Sequence, residues 1–368
     1  MTSEHALADE TAPLLTLNDV TKTFHGSNWF GKADRGAVTA VDGVSLVIRP
    51  GETLGLVGET GSGKSTIGRV ILRLEEPTSG EIMFKGEDIA KLAMAAVRRR
   101  RQNMQMVFQD PYGSLDPRMT VGDLISEPML VHGVPRGEIP GRMLRILDQV
   151  GLARDMAERY PHEFSGGQRQ RIGVARALVL EPDLLILDEP VSALDVSIQA
   201  QILNMLRRIQ RDTGIAYLFI AHDLAVVRHI SDRVAVLYLG RIVETAPRDQ
   251  LYAAPRHPYT ISLLSAVPVP NPDLERSRKR VDLHGEISSG TAIPSGCRFH
   301  PRCFRARLVA GANNEATVPF GDEALPRKCV KVDPALSTQT DAGEHEAACH
   351  YPLTPDELPN VLGTMVSG

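Results

Sequence analysis

The chain has 368 residues, of which 42% are hydrophobic and 23% are charged, and its net charge is −4. This length is enough for roughly two or three folding units, and the composition is that of an ordinary globular protein. A slightly acidic chain is not expected to be a dedicated nucleic-acid binder. No apolar run approaches the ~18 residues that a membrane-spanning helix needs.

The amino terminus lacks the features of a secretory signal. It carries Glu4, Asp9 and Glu10, and no basic segment followed by an apolar core. We therefore expect the protein to stay in the cytoplasm, where thiols remain reduced and structural disulfides are rare. This matters for the four cysteines, which all follow residue 296.

The first predicted elements are short strands joined by loops. We expect a flexible tail at 1–13, an edge strand at 14–20, a polar loop at 26–36, and further strands at 44–48 and 53–57. Phe24 follows the first strand. An aromatic ring upstream of a nucleotide site could stack on adenine, although a lone phenylalanine is more often a core residue.

The most informative stretch is GETGSGKST, which fits the pattern G-x-x-x-x-G-K-[ST]. Its residues are Gly58, Glu59, Thr60, Gly61, Ser62, Gly63, Lys64, Ser65 and Thr66. It follows an apolar strand and precedes a predicted helix, which is the setting of a phosphate-binding loop. Glycines let successive main-chain N–H groups point at phosphate oxygens, and the helix amino terminus adds a partial positive charge. Lys64 would reach the β- and γ-phosphates, and the Ser65 hydroxyl would bind Mg²⁺.

A helical insert interrupts the α/β pattern at about 111–165. Residues 119–151 have helical periodicity, with apolar residues on one face. Proline removes a main-chain donor, so the prolines in this region are expected to break it into several short helices; they are Pro128, Pro135 and Pro140.

Strands and helices alternate through the rest of residues 14–255. Strands are predicted at 81–84, 105–108, 183–189 and 216–220, helices at 67–74 and 198–211, and a closing hairpin at 234–244. This alternation predicts an α/β fold with a largely parallel, doubly wound sheet. Prolines and weak periodicity then predict an accessory domain at 256–368.

Polar side chains at predicted strand ends complete a nucleotide site. Asp188 would hold Mg²⁺, and Glu189 would act as the general base for the attacking water. Gln109 would sense both the metal and the water, and His222 would contact the γ-phosphate. Each of these residues alone could be an ordinary surface side chain, and they gain meaning from the phosphate loop upstream.

A second glycine pair opens a helix further along the chain. Ser165, Gly166, Gly167 and Gln168 form another anion-binding helix amino terminus by the same physics as the phosphate loop. One ATP does not need two such cradles from the same chain. This second cradle therefore indicates a site that another subunit completes.

Taken in order, these motifs resemble those of the ATP-binding cassette (ABC) ATPase family. They match its Walker A at 58–66, Q-loop at Gln109, signature at 165–168, Walker B at 185–189, D-loop at 192–195 with Asp195, and switch histidine at His222. The resemblance covers about 14–250. It implies a P-loop NTPase core with a helical insert, ATP and Mg²⁺, and a head-to-tail dimer holding nucleotide between Walker A of one subunit and the signature of the other. Phe24 matches the adenine-stacking aromatic of the family.

Further segments are similar to the ATPase subunits of oligopeptide/dipeptide importers. They are VFQDP at 107–111, PHEFS at 161–165, PVSALDVS at 190–197, HPYT at 257–260 and GCRFHPRC at 296–303. The long loop before Val38 resembles the F-type subunit. The resemblance implies a second ATPase subunit, two transmembrane permeases, an extracytoplasmic binding protein, and a peripheral position on the cytoplasmic face of the membrane. Relatives of this group also carry nickel, opines or glutathione, so the sequence leaves the cargo open.

The cysteines Cys297, Cys303, Cys329 and Cys349 have the spacings C-x5-C, C-x25-C and C-x19-C. Spacing alone favours a zinc site or unligated buried thiols. The family resemblance instead implies that the four cysteines bind a [4Fe–4S] cluster in a small C-terminal domain. The sequence departs from the family pattern at the second spacing, where residues 308–326 are inserted.

Two other functions are consistent with an ABC ATPase core. Proteins of this family that act on DNA repair or ribosomes without transport usually carry a coiled coil or tandem cassettes, and this sequence shows neither. A binding module without hydrolysis would require a degenerate Glu189 or His222, and both residues are intact.

Overall fold

The computed structural model describes residues 12–25, 37–267, 281, 293–312, 315–338 and 343–358. The predicted tail is described only at residues 12 and 13, and the predicted loop at 26–36 lies outside the described residues. Those that are described fall into two compact units. The first comprises described residues within Met1–Val20, Ser45–Leu54 and Ile67–Ala221, and the second those within Thr21–Val44, Gly55–Thr66 and His222–Gly368.

The strands up to residue 221 are β1 Leu15–Phe24, β2 Val38–Ile48, β3 Thr53–Val57, β4 Ser79–Phe84, β5 Glu87–Asp88, β6 Met104–Val107, β7 Leu184–Asp188 and β8 Ala216–Ala221. The helices are α1 Lys64–Ile71, α2 Met94–Arg100, α3 Pro111–Ser114, α4 Val121–Val131, α5 Ile139–Val150, α6 Gly166–Leu178 and α7 Val196–Thr213, with 3₁₀ turns at Arg154–Glu158 and Pro161–Glu163. The predicted alternation of strands and helices is confirmed.

Within the first unit, β6, β7 and β8 are adjacent and parallel. Met104 pairs with Leu184, and Leu184 pairs in turn with Ala216. Every residue of β7 and β8 is buried, which is typical of parallel strands covered on both faces. The parallel arrangement brings the carboxyl ends of β6 and β7 to the same edge of the sheet, where Gln109 and Glu189 follow.

The helical insert packs against α6, which contacts α3, α4 and α5. The prediction that Pro128 breaks a helix is wrong, because α4 continues through it to Val131. Burial of Leu124, Ile125 and Met129 holds the helix together on both sides of the proline. Pro140 lies in the first turn of α5. A main-chain N–H at this position has no hydrogen-bond partner within the helix, so the proline removes no hydrogen bond.

The second unit contains the described residues from His222 onward. Its further elements are α8 Leu224–Ile230, β9 Arg233–Tyr238, β10 Arg241–Pro247, α9 Arg248–Ala253, α10 Pro258–Ala266, α11 Phe304–Ala312, β11 Thr317–Phe320, β12 Glu323–Pro326, α12 Arg327–Lys331, β13 Ser337–Thr338 and β14 Glu346–Ala347, with 3₁₀ turns at His300–Arg302 and Pro355–Glu357. The predicted hairpin is confirmed, since β9 and β10 pair antiparallel around Gly240.

The late strands extend this hairpin. β14 pairs antiparallel with β10 through Glu244 and Ala347, and β13 pairs with β14. The predicted accessory region at 256–368 therefore shares main-chain hydrogen bonds with residues before 255. None of the helices among the described residues has both the length and the apolar character required to cross a membrane.

Candidate nucleotide site

The loop after β3 has the geometry that its glycines predict. Gly61 and Gly63 have φ angles of +81° and +106°, in a region that residues with a Cβ rarely adopt. A Cβ on Gly63 would lie 2.1 Å from the carbonyl oxygen of Ala40, and one on Gly58 would lie 2.2 Å from that of Leu237. Larger residues are thus excluded at both positions, and α1 begins at Lys64, within the motif.

Lys64 is 4% exposed and lies over this loop. Its Nζ donates hydrogen bonds to the main-chain oxygens of Gly58 at 2.7 Å and Glu59 at 2.9 Å. Gly240 also holds the loop, because its N–H donates to the main-chain oxygen of Ser62 at 2.8 Å. The ammonium group is therefore held against the main chain of the predicted phosphate loop.

The predicted general base contacts the predicted Q-loop residue in the first unit. Gln109 Nε2 donates to Glu189 Oε2 at 3.0 Å. Glu189 has a φ of +47°, a left-handed conformation that is strained for any residue but glycine. Its N–H is satisfied by the Ile220 oxygen at 2.9 Å, so neighbouring β8 helps hold this conformation. Asp188, one residue earlier, is 2% exposed.

The segment after Glu189 is folded back by side-chain hydrogen bonds. Ser192 Oγ donates to the main-chain oxygen of Glu189 at 3.1 Å. Asp195 caps α7 by accepting from Ile198 N–H at 3.0 Å and from Ser197 Oγ at 2.7 Å. These hydrogen bonds to Asp195 lower the pKa of its carboxyl group, so it is ionised at neutral pH.

Gln199 is a residue of this segment that the sequence did not single out. Its Nε2 donates to the main-chain oxygens of Val191 and Leu194, each at 3.0 Å. The side chain thereby fixes the shape of the loop between β7 and α7. A glutamine one turn into a helix carries no distinctive sequence pattern, so only the fold reveals this role.

The second glycine pair begins α6, as predicted. Ser165 is the N-cap residue, and its Oγ accepts from Gln168 N–H at 3.4 Å while Gln168 Oε1 accepts from Ser165 N–H at 3.0 Å. This reciprocal pair is a capping box. A Cβ on Gly167 would lie 2.5 Å from the Ile198 side chain, which explains the glycine.

Phe24 and His222 are both in the second unit. Phe24 ends β1 with 38% of its surface exposed, and Lys22 Nζ lies 4.7 Å from its ring centroid. His222 is exposed between β8 and α8. Gln109 and Glu189 are in contact within the first unit, whereas the loop at 58–66 belongs to the second.

All four cysteines belong to the second unit and form no disulfide. The inserted residues form the end of α11 and the β11–β12 hairpin, which returns the chain so that Cys297 N–H donates to the Cys329 oxygen at 2.9 Å. Burial raises the pKa of each thiol. The charges of Cys297 and Cys329 raise the pKa of Cys303 further, and those of the other three cysteines raise that of Cys349.

Across the described ranges, no group of three or more His, Cys, Asp or Glu side chains is arranged to hold a single metal ion.

Two protein-family models match the chain. Residues 41–192 match the ABC transporter family. Residues 243–308 match the oligopeptide/dipeptide transporter C-terminal region. The second match includes Cys297 and Cys303.

Curated relatives cover most of the chain. It is 47% identical to the oligopeptide transport ATP-binding protein OppF of Salmonella typhimurium, over 90% of this chain and 99% of that protein. It is 50% identical to the oligopeptide transport ATP-binding protein AppF of Bacillus subtilis, over 85% and 94%. A probable peptide ABC transporter ATP-binding protein of Sinorhizobium fredii is 54% identical over 84% and 87%.

Solved structures share the fold. The ATP-binding cassette MJ0796, solved as a dimer in a post-hydrolysis state with ADP and Pi, is 28% identical with a TM-score of 0.57, over 64% of this chain and 98% of that one. The protein cbiO1 of Clostridium perfringens, part of the transporter complex cbiONQ, is 27% identical with a TM-score of 0.57, over 66% and 91%.

Proposed function

Because this chain belongs to the ATP-binding subunits of ABC transporters, in the oligopeptide/dipeptide class, and is therefore an ATPase, we propose that its ATP hydrolysis drives the import of peptides. The observation that carries the peptide class is the match of residues 243–308 to the oligopeptide/dipeptide C-terminal region. A non-transport ABC ATPase is not supported, since the relatives named above are transport proteins.

The loop at 58–66 is the proposed phosphate site. Its N–H groups and the amino terminus of α1 would hold the β- and γ-phosphates, and Lys64 Nζ would neutralise their charge. The buried lysine lying over the loop supports this role. Phe24 would stack on adenine, which its exposed ring permits.

Ser65, Asp188 and Gln109 are the proposed ligands of Mg²⁺. A hydroxyl, a carboxylate and an amide oxygen fit this ion because it prefers oxygen donors. Bound Mg²⁺ would neutralise charge on the phosphates. Glu189 would take the proton from the attacking water, and its contact with Gln109 and its strained backbone support a fixed catalytic position. His222 would contact the γ-phosphate.

The capped amino terminus of α6 would serve a nucleotide bound to a second ATPase subunit. Ser165, Gly166, Gly167 and Gln168 would contact its γ-phosphate, and Asp195 would lie at the same subunit boundary. The dimeric cassette with ADP and Pi among the structural neighbours supports this arrangement. Closing of the dimer on ATP and reopening after hydrolysis would drive the membrane partners.

The domain boundaries follow from this role. We propose a tail at 1–13, an ABC ATPase domain at 14–255 with its helical insert at about 111–165, and a C-terminal extension at 256–368. The groove between the insert and Gln109 would transmit motion to two transmembrane permeases at the cytoplasmic face of the membrane. An extracytoplasmic binding protein would deliver the cargo, and the second ATPase subunit would be the partner of this F-type chain.

The four cysteines are the proposed ligands of a structural [4Fe–4S] cluster. Four thiols are the usual donor set for such a cluster, which bonds each cysteine to a different iron. The main-chain hydrogen bond from Cys297 N–H to the Cys329 oxygen, which brings two of these residues together, supports the proposal. Zinc, which four thiolates also bind, is the alternative. The cluster would stabilise the C-terminal region and take no part in hydrolysis.

Uptake in a deletion strain tests the proposed cargo. Labelled di- and oligopeptides, nickel, an opine and glutathione are each supplied to cells carrying the wild-type chain or its Lys64→Ala variant. We expect uptake of peptides with the wild type and none with the variant. Uptake of nickel, opine or glutathione alone would overturn the peptide assignment while leaving the ATPase assignment intact.

A further inference from the structure

Glu59, in the loop at 58–66, is linked to the C-terminal region. Its carboxylate accepts hydrogen bonds from Arg302 Nη1 at 2.8 Å and Nη2 at 3.1 Å. Its main-chain N–H donates to Tyr259 Oη at 2.9 Å, and its main-chain oxygen accepts from Lys64 Nζ at 2.9 Å. One residue thus joins an arginine beside Cys303 to the phosphate-binding lysine.

The Arg302–Glu59 pair has the features of a strong ion pair. It is bidentate, and Arg302 is only 6% exposed. The arginine lies beside the packed rings of Tyr238, Tyr259 and Phe299, whose centroids are 4.6 to 5.4 Å apart. Truncating either partner would leave a largely buried charge without its counterion, which is strongly unfavourable.

A second arginine of the same segment reaches the loop by another route. Arg298 donates to the Leu239 oxygen and to the Asp42 carboxylate. Asp42 N–H donates to the Gly240 oxygen at 2.9 Å, and Gly240 N–H donates to the Ser62 oxygen at 2.8 Å. Arg298 therefore supports the turn against which the loop rests.

Both arginines lie between Cys297 and Cys303, and Cys297 is tied to Cys329 through its N–H. We propose that Arg302, assisted by Arg298, is a positioning residue for the phosphate loop, so that the cysteine-bounded segment 297–303 is coupled to ATP binding. The inference rests on the proposed phosphate-binding role of residues 58–66. The sequence assigns no individual role to either arginine.

The physical reason is preorganisation. A phosphate loop binds well only if its N–H groups already point at the ligand, because ordering them on binding costs conformational entropy. Arg302 binds the Glu59 carboxylate, Tyr259 accepts from the Glu59 main-chain N–H, and Lys64 donates to the Glu59 main-chain oxygen. Linkage requires the converse effect, so bound ATP must also stabilise segment 297–303.

Binding of a fluorescent ATP analogue with Mg²⁺ to the full chain tests the proposal. We expect Arg302→Gln to raise Kd about tenfold or more, as loss of a charged hydrogen-bonded pair implies. In the assembled complex KM for ATP should rise with kcat nearly unchanged. Arg305→Gln is the matched control, because it breaks the nearby Arg305–Glu357 pair at 2.7 Å without touching the loop, and its Kd should stay at the wild-type value.

A double variant with reversed charges and amide hydrogen exchange distinguish a positioning role from a general effect on stability. The double variant Glu59→Arg/Arg302→Glu should bind ATP more tightly than either single variant. In the wild-type chain, adding Mg²⁺-ATP should slow amide exchange in residues 297–303, a readout that does not depend on any variant folding. Unchanged exchange there would overturn the proposal.

The outcomes also distinguish this inference from the function on which it rests. Lost binding in Lys64→Ala with wild-type binding in Arg302→Gln would overturn the inference and leave the phosphate loop standing. Equal binding by the wild type and Lys64→Ala would overturn the loop assignment and the inference together.

Discussion

Gln109 Nε2 donates a 3.0 Å hydrogen bond to Glu189 Oε2, although the two residues are 80 positions apart in the sequence. Each follows one of two adjacent parallel strands, β6 and β7, so the sheet sets their separation. A carboxylate that is already held by an amide donor has fewer orientations to lose when water enters the site. The hydrogen bond therefore links Glu189, the proposed general base, to Gln109, which is a proposed ligand of Mg²⁺ and lies at the proposed coupling groove.

We expect Glu189→Gln to bind ATP but to hydrolyse it about 100- to 10,000-fold more slowly, because an amide cannot accept the proton of the attacking water. Turnover of the assembled complex and binding of an ATP analogue measure the two effects. Glu181→Gln is the control, since Glu181 is exposed and has a similar φ of +53°. Wild-type turnover in Glu189→Gln would assign the base to another residue.

We expect the isolated chain to be a weak ATPase whose turnover rises when the partner ATPase and permeases are added. The α6 amino terminus would act on a partner's nucleotide, so neither site is complete in a monomer. Ser165→Arg should retain ATP binding by its own loop and lower turnover of the complex, which analytical ultracentrifugation and phosphate release together check. Full activity of a demonstrated monomer would contradict the shared site.

We expect anaerobically purified protein to be brown and to contain iron and sulfide in near-equal amounts. Cys→Ser at any of the four cysteines should lower the iron content, because each thiolate would bond one iron. Lys328→Ala, next to Cys329 but exposed, should leave iron unchanged. Colourless protein with one zinc per chain would replace the cluster by a zinc site.

We expect the protein to lose stability as the pH falls from about 7 towards 4 because of His257. Its Nδ1 accepts the Tyr259 N–H at 3.1 Å, which caps α10 and requires a neutral ring. Burial lowers the pKa of His257 to about 4, although the Glu244 carboxylate opposes the shift. The unfolded chain takes up a proton near pH 6.5 and the folded chain does not, so stability present above pH 6.5 is lost below it.

The loss amounts to about 2 kcal/mol between pH 7.5 and pH 5. Urea unfolding at several pH values measures it. Asn at position 257 keeps a capping oxygen but cannot titrate, so His257→Asn should show a shallower pH dependence. His345, which contacts Glu244 at 2.7 Å, is present in both proteins. Parallel pH profiles would contradict the assignment.

Features that depend on neighbouring residues could be predicted from the sequence. The glycine-rich loop at 58–66, the helix start at Ser165 and the strand that carries Asp188 are local, because glycine φ angles, cap hydrogen bonds and apolar runs are set within a few residues. They lie where the motifs predicted, with element ends shifted by a few residues. Pro128 was misjudged because the packing that keeps α4 helical comes from distant residues.

The contacts that join these local pieces could not be predicted, because they depend on how the whole chain packs. Arg302 pairs with Glu59 across 243 positions, and His345 meets Glu244 across 101. Such pairs leave no periodic pattern, because their partners are chosen by how strands and helices pack and by the need to neutralise a buried charge. The folding of the inserted residues, which returns Cys329 to Cys297, was set by the tertiary structure for the same reason.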